Sequence, residues 1–307
     1  MSSIDSKSIS NNKSKKSIFF IILALLSITR WYNVLLVLIS LYFVQIFIFD
    51  TSKRFLITLE SKEIHLFILA MLLIITGGYL INAFYDFEKD MINQPEKTYF
   101  DRLVSKKSCL NIYILVNTLG LATSYLIGEK IFAFSFLLIF SLWLYSHKLR
   151  KKPLLGEISA SLLMISFFVG LSILNWGTLE KDLKLLLKLA FFSTYIFTID
   201  LTREIVKKMI SLKGDLIVGE KSIPIIFGIK KSKYIILFLM ICSLVAILSL
   251  LPKIYGMLFS YYFIIAFIII SISIYLLRNS RTSKQYNRIN NVYKILIGLA
   301  ILSIAMY

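Results

Sequence analysis

The chain has 307 residues, of which 58% are hydrophobic, and its mean hydropathy is +0.79. Soluble domains are nearer half apolar and carry more charge, so this composition excludes an ordinary soluble globular protein. The formal net charge is +18, which in a soluble protein would suggest a nucleic-acid partner. Here the basic residues cluster in short segments between apolar runs, which indicates membrane topology and contact with anionic lipid rather than nucleic-acid binding.

The composition also argues against disulfides and transition-metal sites. Cys109 and Cys242 lie far apart in or beside apolar segments, so they predict no disulfide framework. His65 and His147 likewise lie apart, at the edges of apolar segments. A metal site built from His and Cys is therefore not expected, because such sites gather several of these ligands at close spacing.

The N-terminal region divides into a polar tail and an apolar lead-in. Residues 1–16 are rich in Ser, Asn and Lys and predict a disordered basic tail. The apolar run 17–30 is too long for a signal peptide and lacks a clear small-residue cleavage site, so we expect it to be retained at the membrane interface. It is separated from the first span at "TRWYN". Residues 17–307 are predicted to form a single integral-membrane domain.

Nine apolar runs of membrane-spanning length follow. About 20 residues suffice to cross the hydrocarbon layer, and backbone groups in lipid must be satisfied within a helix or a closed barrel. These runs are too long and too uniformly apolar for barrel strands. The sequence therefore predicts an all-α polytopic membrane protein, a bundle of about nine transmembrane helices. The predicted spans are 31–49, 64–85, 109–127, 131–147, 154–176, 185–206, 233–251, 254–277 and 289–306.

The charges of the loops predict the orientation of the bundle. With the N-terminus inside, the inner loops each carry at least four Lys or Arg residues; they are 86–108, 148–153, 207–232 and 278–288. The outer loops carry between one and three. This asymmetry is the one that the positive-inside rule describes. We expect an integral protein of a bacterial inner membrane, with the N-terminus and the basic inner loops cytoplasmic and the C-terminus outside.

The segment "NAFYDFEKD", residues 82–90, ends the second span. Asn82, Asp86 and Asp90 are four residues apart, which places them along one face of a helix. Two carboxylates on one face repel each other, and Mg²⁺, which prefers oxygen ligands and bridges carboxylates to phosphates, relieves that repulsion. The spacing alone is equally compatible with a solvated helix end.

A second polar cluster, "DLTREIVKKMISLKGD" at 200–215, ends the sixth predicted span on the same inner side. Its acidic and hydroxyl residues fall near one helical stripe, with two basic residues beside them; they are Asp200, Glu204, Ser211 and Asp215, with Arg203 and Lys207. Two facing acidic clusters ringed by Lys and Arg are suited to holding a diphosphate through bridging Mg²⁺.

Several segments together resemble the UbiA superfamily of intramembrane prenyltransferases. "NAFYDFEKD" matches the family motif N-x-x-x-D-x-x-x-D in full, "INQPEK" is similar to I-N-K-P-x-R/K, and "RWYN" is similar to the Arg-x-x-Asn entry. "LYSHKLRKKPLLGE" resembles Y-S-x-x-L-K-x-x-P-L-x-G-N, with Glu157 in place of the Asn. The resemblance extends over about residues 30–306 and implies a UbiA-like bundle whose helices surround a central cavity.

The second family motif is matched with two departures. "REIVKKMISLKGD" resembles R-E-x-x-K-D-x-x-D-x-x-G-D, followed by a segment similar to G-x-x-T/S-x-P-I. Lys208 and Ser211 stand where the family usually has acidic residues, one of which normally helps to hold a second Mg²⁺. A serine hydroxyl or water is able to fill that place, and Asp200, one turn before Glu204, is a further candidate to compensate.

The resemblance implies Mg²⁺-dependent transfer of a prenyl group from its diphosphate. By the matching motif positions, the implied catalytic residues are Asp86, Asp90 and Asp215, and the implied metal ligands are Asp86, Asp90, Asp215 and Ser211. The implied substrate-binding residues are Asn82, Lys97, Arg150, Lys207, Arg30 and Glu204. Each basic residue in this set is also compatible with a plain topological anchor.

The form of the second motif favours a lipid acceptor. It is more similar to enzymes that attach geranylgeranyl to geranylgeranylglyceryl phosphate than to those acting on aromatic quinone precursors, such as the menaquinone type, which remain the alternative. Two other hypotheses stay open: a degenerate relative that binds prenyl diphosphate without turnover, and a transporter. Transport sites usually lie near the membrane midplane on broken helices, whereas these carboxylates lie at helix ends on one side.

Overall fold

The structure is a computed structural model that describes residues 18–50, 55–93, 103–217, 219, 221–254 and 258–306. Every regular element in these ranges is helical. The predicted disordered tail, residues 1–16, lies outside them. The all-α class that the apolar composition predicts is confirmed for the described part of the chain, as expected where lipid forces each backbone amide to pair within its own segment.

Nine helices of 14 residues or more form the described bundle. In chain order they are α1 Trp31–Val44, α2 Lys62–Asn93, α3 Lys106–Tyr125, α4 Glu129–His147, α5 Leu155–Leu174, α6 Leu183–Ile210, α7 Ile223–Ile254, α8 Phe259–Asn279 and α9 Ser283–Ser303. A π-helical turn continues α1, and short helices lie in the connections; these are Gln45–Phe49, then Phe55–Glu60, Trp176–Leu179 and Leu212–Ile217.

Eight spans, one of them formed by α1 with its π-helical continuation, are long and apolar enough to cross a membrane by length and composition. The exception is α3, which coincides with the predicted span 109–127 but is less apolar because Asn111 and Asn117 interrupt it. Its 20 residues still extend about 30 Å, the thickness of the hydrocarbon layer. The predicted polytopic helical bundle is confirmed, and the nine predicted spans correspond in order to α1–α9.

The lead-in predicted at 17–30 forms the short apolar helix Ile18–Ile28. Arg30, with φ 48° and ψ 53°, adopts the left-handed conformation and separates this helix from α1. A non-glycine residue in this region costs about 1–2 kcal/mol, so surrounding contacts must hold it there. The interruption predicted at "TRWYN" is therefore confirmed, and it places Arg30 at the entrance of the bundle.

The helix ends differ from the predicted spans on the inner side. α2 continues to Asn93, and α9 begins at Ser283, where Thr282 and Gln285 form a reciprocal capping box. The predicted inner loop 207–232 also contains helical turns. Hydropathy found the apolar part of each helix and missed its polar turns, because charged side chains at a helix end are solvated without unwinding it.

The helices close into a ring. α1 packs against α2 and α9, α4 packs against α2 and α5, and α6 packs against α5 and α9. Six helices, α1, α2, α4, α5, α6 and α9, therefore surround the interior. α3 supports the ring from outside along α2 and α4, while α7 and α8 support it along α6 and α9. The ring gathers helix ends from both halves of the sequence around one space.

Close packing of α2 on α3 depends on Gly77. A Cβ atom there would lie 2.5 Å from Nδ2 of Asn117, which donates to the carbonyl of Tyr113 at 2.8 Å. We expect Gly77→Ala to lower the free energy of unfolding by about 1–3 kcal/mol, seen as a lower thermal midpoint. Adding Asn117→Ala should restore most of it. Gly177→Ala, in open space, is the control; an unchanged midpoint in Gly77→Ala would contradict this packing argument.

Candidate active site

A cavity of about 280 Å³ lies inside the ring. Part of its wall is polar or charged: Arg30, Asn33, Asn82, Asp200, Arg203, Glu204, Lys207 and Lys294. Much of the rest is apolar and includes Met164, Phe167, Phe168, Phe192, Ile196 and Ile301. Along α6 the apolar residues come first and the charged ones lie one to four turns nearer its C-terminal end. The cavity is thus matched to a molecule with a charged head and a hydrocarbon tail.

The charged residues of α6 pair with one another along the cavity wall. Nη1 of Arg203 lies 3.1 Å from Oδ1 of Asp200, and Nζ of Lys207 lies 2.6 Å and 2.8 Å from the two carboxylate oxygens of Glu204. Oδ2 of Asp200 also accepts a hydrogen bond from the hydroxyl of Ser161 on α5 at 3.1 Å. These pairs hold two cations and their two carboxylates in fixed positions on the cavity wall, where a metal-bound anion would meet prepositioned charges of both signs.

The first motif lies on α2 and is held from α4 and the turn after it. Oδ1 of Asn82 accepts a hydrogen bond from the hydroxyl of Ser146 at 2.8 Å. One turn further on, the carboxylate of Asp86, a residue only 8% exposed, forms an ion pair with the guanidinium of Arg150. Arg150 belongs to the 3₁₀ turn Leu149–Lys151, so the loop after α4 contributes a cation beside the first motif.

Arg30 brings a further positive charge to the cavity. Its guanidinium lies 5.6 Å from the ring centroid of Tyr79 on α2, within the range of a cation–π contact. Arg30 and Asn33 both line the cavity. The left-handed turn at Arg30 is what directs this side chain inward from the start of α1.

Four of the predicted site residues that the structure describes do not line the cavity: Asp86, Arg150, Ser211 and Asp215. Ser211 ends α6, and Asp215 is fully buried in the short helix Leu212–Ile217, which packs against α2. The structure thus brings the second motif next to the helix that carries the first, as the facing-cluster interpretation requires. The side chain of Asp90 and all of Lys97 lie outside the described residues.

The sequence matches the UbiA prenyltransferase family over residues 55–299, most of the chain. The chain belongs to this family. The predicted resemblance is confirmed, and with it the assignment as a prenyltransferase. A digeranylgeranylglyceryl phosphate synthase of Thermococcus gammatolerans is 31% identical over 79% of this chain and 84% of the relative. One from Sulfurisphaera tokodaii is 29% identical over 72% of this chain and 78% of the relative.

Solved structures share the UbiA fold. One, from work on digeranylgeranylglyceryl phosphate synthase in membranes, superposes with a TM-score of 0.69 at 20% identity, covering 93% of this chain and 97% of that one. A UbiA homolog from Archaeoglobus fulgidus, bound to GPP and Mg²⁺, has a TM-score of 0.63 at 17% identity, covering 91% of this chain and 99% of that one. These likenesses confirm the helical architecture.

Several cavity residues were not singled out as site residues from the sequence. Asn33 is the last residue of "RWYN", and the similarity of this segment to the UbiA entry motif is the sequence signal that could have identified it as a site residue. Lys294 is a charged residue in the middle of a span, which by itself marks a functional candidate in membrane proteins. The sequence places Arg203 beside the acidic residues of α6 but does not assign it to the site. Its pairing with Asp200 was available from the sequence, because residues three apart lie on one face of a helix.

The donor atoms present are of the kind that Mg²⁺ prefers. No group of three His, Cys, Asp or Glu side chains within the described ranges, which omit the side chain of Asp90, is close enough to hold a metal ion by itself. Mg²⁺ does not require one, because it usually takes one or two carboxylates together with water and substrate phosphates. A carboxylate oxygen of Glu157, Oε2, is buried and has no hydrogen-bond partner in the described structure. The UbiA site therefore fits a hard divalent cation.

Proposed function

We propose that this protein transfers a geranylgeranyl group from its diphosphate to a glycerol-phosphate lipid such as geranylgeranylglyceryl phosphate, with Mg²⁺. In this reaction the bond between C1 of the prenyl chain and the diphosphate oxygen breaks, and diphosphate leaves with the electron pair. The acceptor hydroxyl forms an ether bond to C1 and releases its proton. The names of the relatives from Thermococcus gammatolerans and Sulfurisphaera tokodaii support this acceptor class.

The observation that carries the proposal is the division of the cavity into a charged and an apolar part within a membrane bundle. Arg30, Arg203 and Lys207 supply positive charge at one part, and aromatic and aliphatic side chains form the other. A prenyl diphosphate has the same division of charge. The apolar walls also exclude water, which would otherwise capture the allylic cation that develops at C1.

Individual roles are proposed from the matching motif positions, supported by contacts where the side chains are described. Bound Mg²⁺ would neutralise charge on the departing diphosphate; the residues proposed to hold it are Asp86, Asp90, Asp215 and Ser211. Asn82, Arg30, Arg150, Lys97, Lys207 and Glu204 are proposed to bind the diphosphate or orient the groups that do. Arg150, paired with Asp86, places a guanidinium next to the first motif, and Glu204 holds the ammonium of Lys207 with both oxygens.

The test is a transfer assay with the purified protein in lipid nanodiscs. Labelled geranylgeranyl diphosphate is offered with geranylgeranylglyceryl phosphate or 1,4-dihydroxy-2-naphthoate, each with Mg²⁺ or with EDTA. We expect Mg²⁺-dependent ether product with the glyceryl phosphate lipid. Product with the naphthoate alone would replace this proposal by the menaquinone type. Binding of the diphosphate without any product would favour the non-catalytic alternative.

We further propose that the inner loops face the cytoplasm and that the C-terminus lies outside. The charge asymmetry of the loops supports this orientation. A reporter that fluoresces only in the cytoplasm should be dark when fused after residue 307 and bright when fused between residues 281 and 282. The opposite pattern would invert the topology. Placement in a bacterial inner membrane stays a prediction.

A further inference from the structure

Glu157 is a buried carboxylate to which the motifs assign no role. It lies in the first turn of α5, and only 2% of its surface is exposed. Its Oε2 atom is buried and has no hydrogen-bond partner among the described residues. A buried polar atom without a partner destabilises the folded state by about 1–3 kcal/mol, and by more when it is charged. A bound ligand at this atom would remove that penalty. A cation is the natural ligand for a carboxylate oxygen.

The packing of α5 on α6 places Glu157 beside the second motif. A hydrogen bond of 3.1 Å from the hydroxyl of Ser161 on α5 to Oδ2 of Asp200 on α6 shows that the two helices lie side by side here. Because consecutive spans run in opposite directions, one turn toward the inner side leads from Ser161 to Glu157 on α5 and from Asp200 to Glu204 on α6. Glu157 accordingly interacts electrostatically with Glu204 and with Lys208, one turn further on.

The same helix end is also tied to the first motif. A Cβ atom on Gly156 would lie 2.9 Å from the carbonyl oxygen of Arg150, so α5 begins in close contact with the turn that carries Arg150. Arg150 in turn pairs with Asp86. Glu157 therefore lies beside the second motif on α6, and the residue before it contacts the turn whose Arg150 pairs with Asp86 of the first motif.

The sequence departs from the UbiA pattern at both partners. Lys208 stands where the second motif has an acidic residue, and Glu157 stands where the segment after the fourth span has Asn. We propose that the charges have been exchanged: Glu157 supplies from α5 a metal-binding carboxylate in place of the acidic residue that position 208 lacks, and Lys208 adds positive charge beside it. The inference rests on the proposed diphosphate site and specifies how that site is completed.

Charge-exchange variants test the inference through binding of geranylgeranyl thiodiphosphate, a substrate analogue with a poor leaving group, as Mg²⁺ is titrated. We expect Glu157→Gln to raise the Mg²⁺ concentration for half-maximal binding at least about tenfold. The pair Glu157→Asn with Lys208→Asp, which returns the carboxylate to α6, should recover most of the wild-type response. Thermal unfolding without Mg²⁺ shows that each variant is folded. Glu129→Gln, at the outer end of α4, is the control.

A second pair separates a metal-binding carboxylate from a simple balancing charge. Glu157→Gln with Lys208→Met removes both charges, and we expect its Mg²⁺ response to stay weak. If it recovered as fully as the exchanged pair, or if Glu157→Gln alone behaved as wild type, the inference would be overturned while the proposed function stood. Wild-type protein that binds the analogue but transfers nothing to either acceptor would overturn the function alone. Wild-type protein without any Mg²⁺-dependent binding would overturn both.

Discussion

Asp86→Asn should lower kcat/KM for prenyl transfer by more than about 100-fold, the upper range for disturbing a metal-binding group. Asp86 is the first carboxylate of the motif on α2, it is nearly buried, and it is the described member of the pair proposed to hold Mg²⁺. Asparagine keeps the shape and removes the charge, so the loss reports on charge. The measurement is steady-state transfer to geranylgeranylglyceryl phosphate over a range of Mg²⁺ concentrations.

Two controls separate a loss of catalysis from a loss of stability. Breaking one partner of a partly buried pair also destabilises a fold, so Asp86→Asn is compared with the double variant Asp86→Asn, Arg150→Gln in thermal unfolding. Asp182→Asn is the matched substitution at the N-terminal end of α6, where Asp182 caps the helix through the backbone N–H of Leu185 at 3.0 Å, a role that asparagine also fills. Retention of half the wild-type activity by Asp86→Asn would refute the assignment.

The sequence was sufficient for the architecture because lipid leaves few alternatives. Apolar runs of about 20 residues had to be helices, and loop charges then gave a consistent order of spans. It also predicted that the two acidic clusters meet, and the contact of Leu212–Ile217 with α2 agrees with this. α3 is less apolar than the other spans. Hydropathy could not explain why Asn117 is tolerated in it, which depends on packing against Gly77 of α2.

The contacts that join different elements of the site could not be predicted from the sequence. Asp86 with Arg150, Asn82 with Ser146 and Asp200 with Ser161 each join different elements, and their register depends on how helices rotate against one another. Periodicity fixes which residues share a face of one helix and leaves open which neighbour that face meets. Glu157 was visible from the sequence only as a mismatch with a family segment, and its burial beside α6 gives the mismatch a physical meaning.

Lys207→Met should weaken binding of prenyl diphosphate about 10–100-fold, because a charge-assisted hydrogen bond contributes about 1.5–3 kcal/mol. Lys207 lines the cavity and is fixed by both oxygens of Glu204, so its ammonium is preorganised for an anion. With Lys207 assigned to the diphosphate, KM for the diphosphate should rise while KM for the acceptor changes little. Glu204→Gln, which leaves the lysine in place but loosens it, should produce a smaller change in the same direction.

Lys231→Met is the control. Lys231 is an exposed lysine that does not line the cavity, so this variant should match wild type. If Lys231→Met weakened binding as much as Lys207→Met, the effect would reflect general attraction to a basic surface, and the cavity would not be where the diphosphate binds.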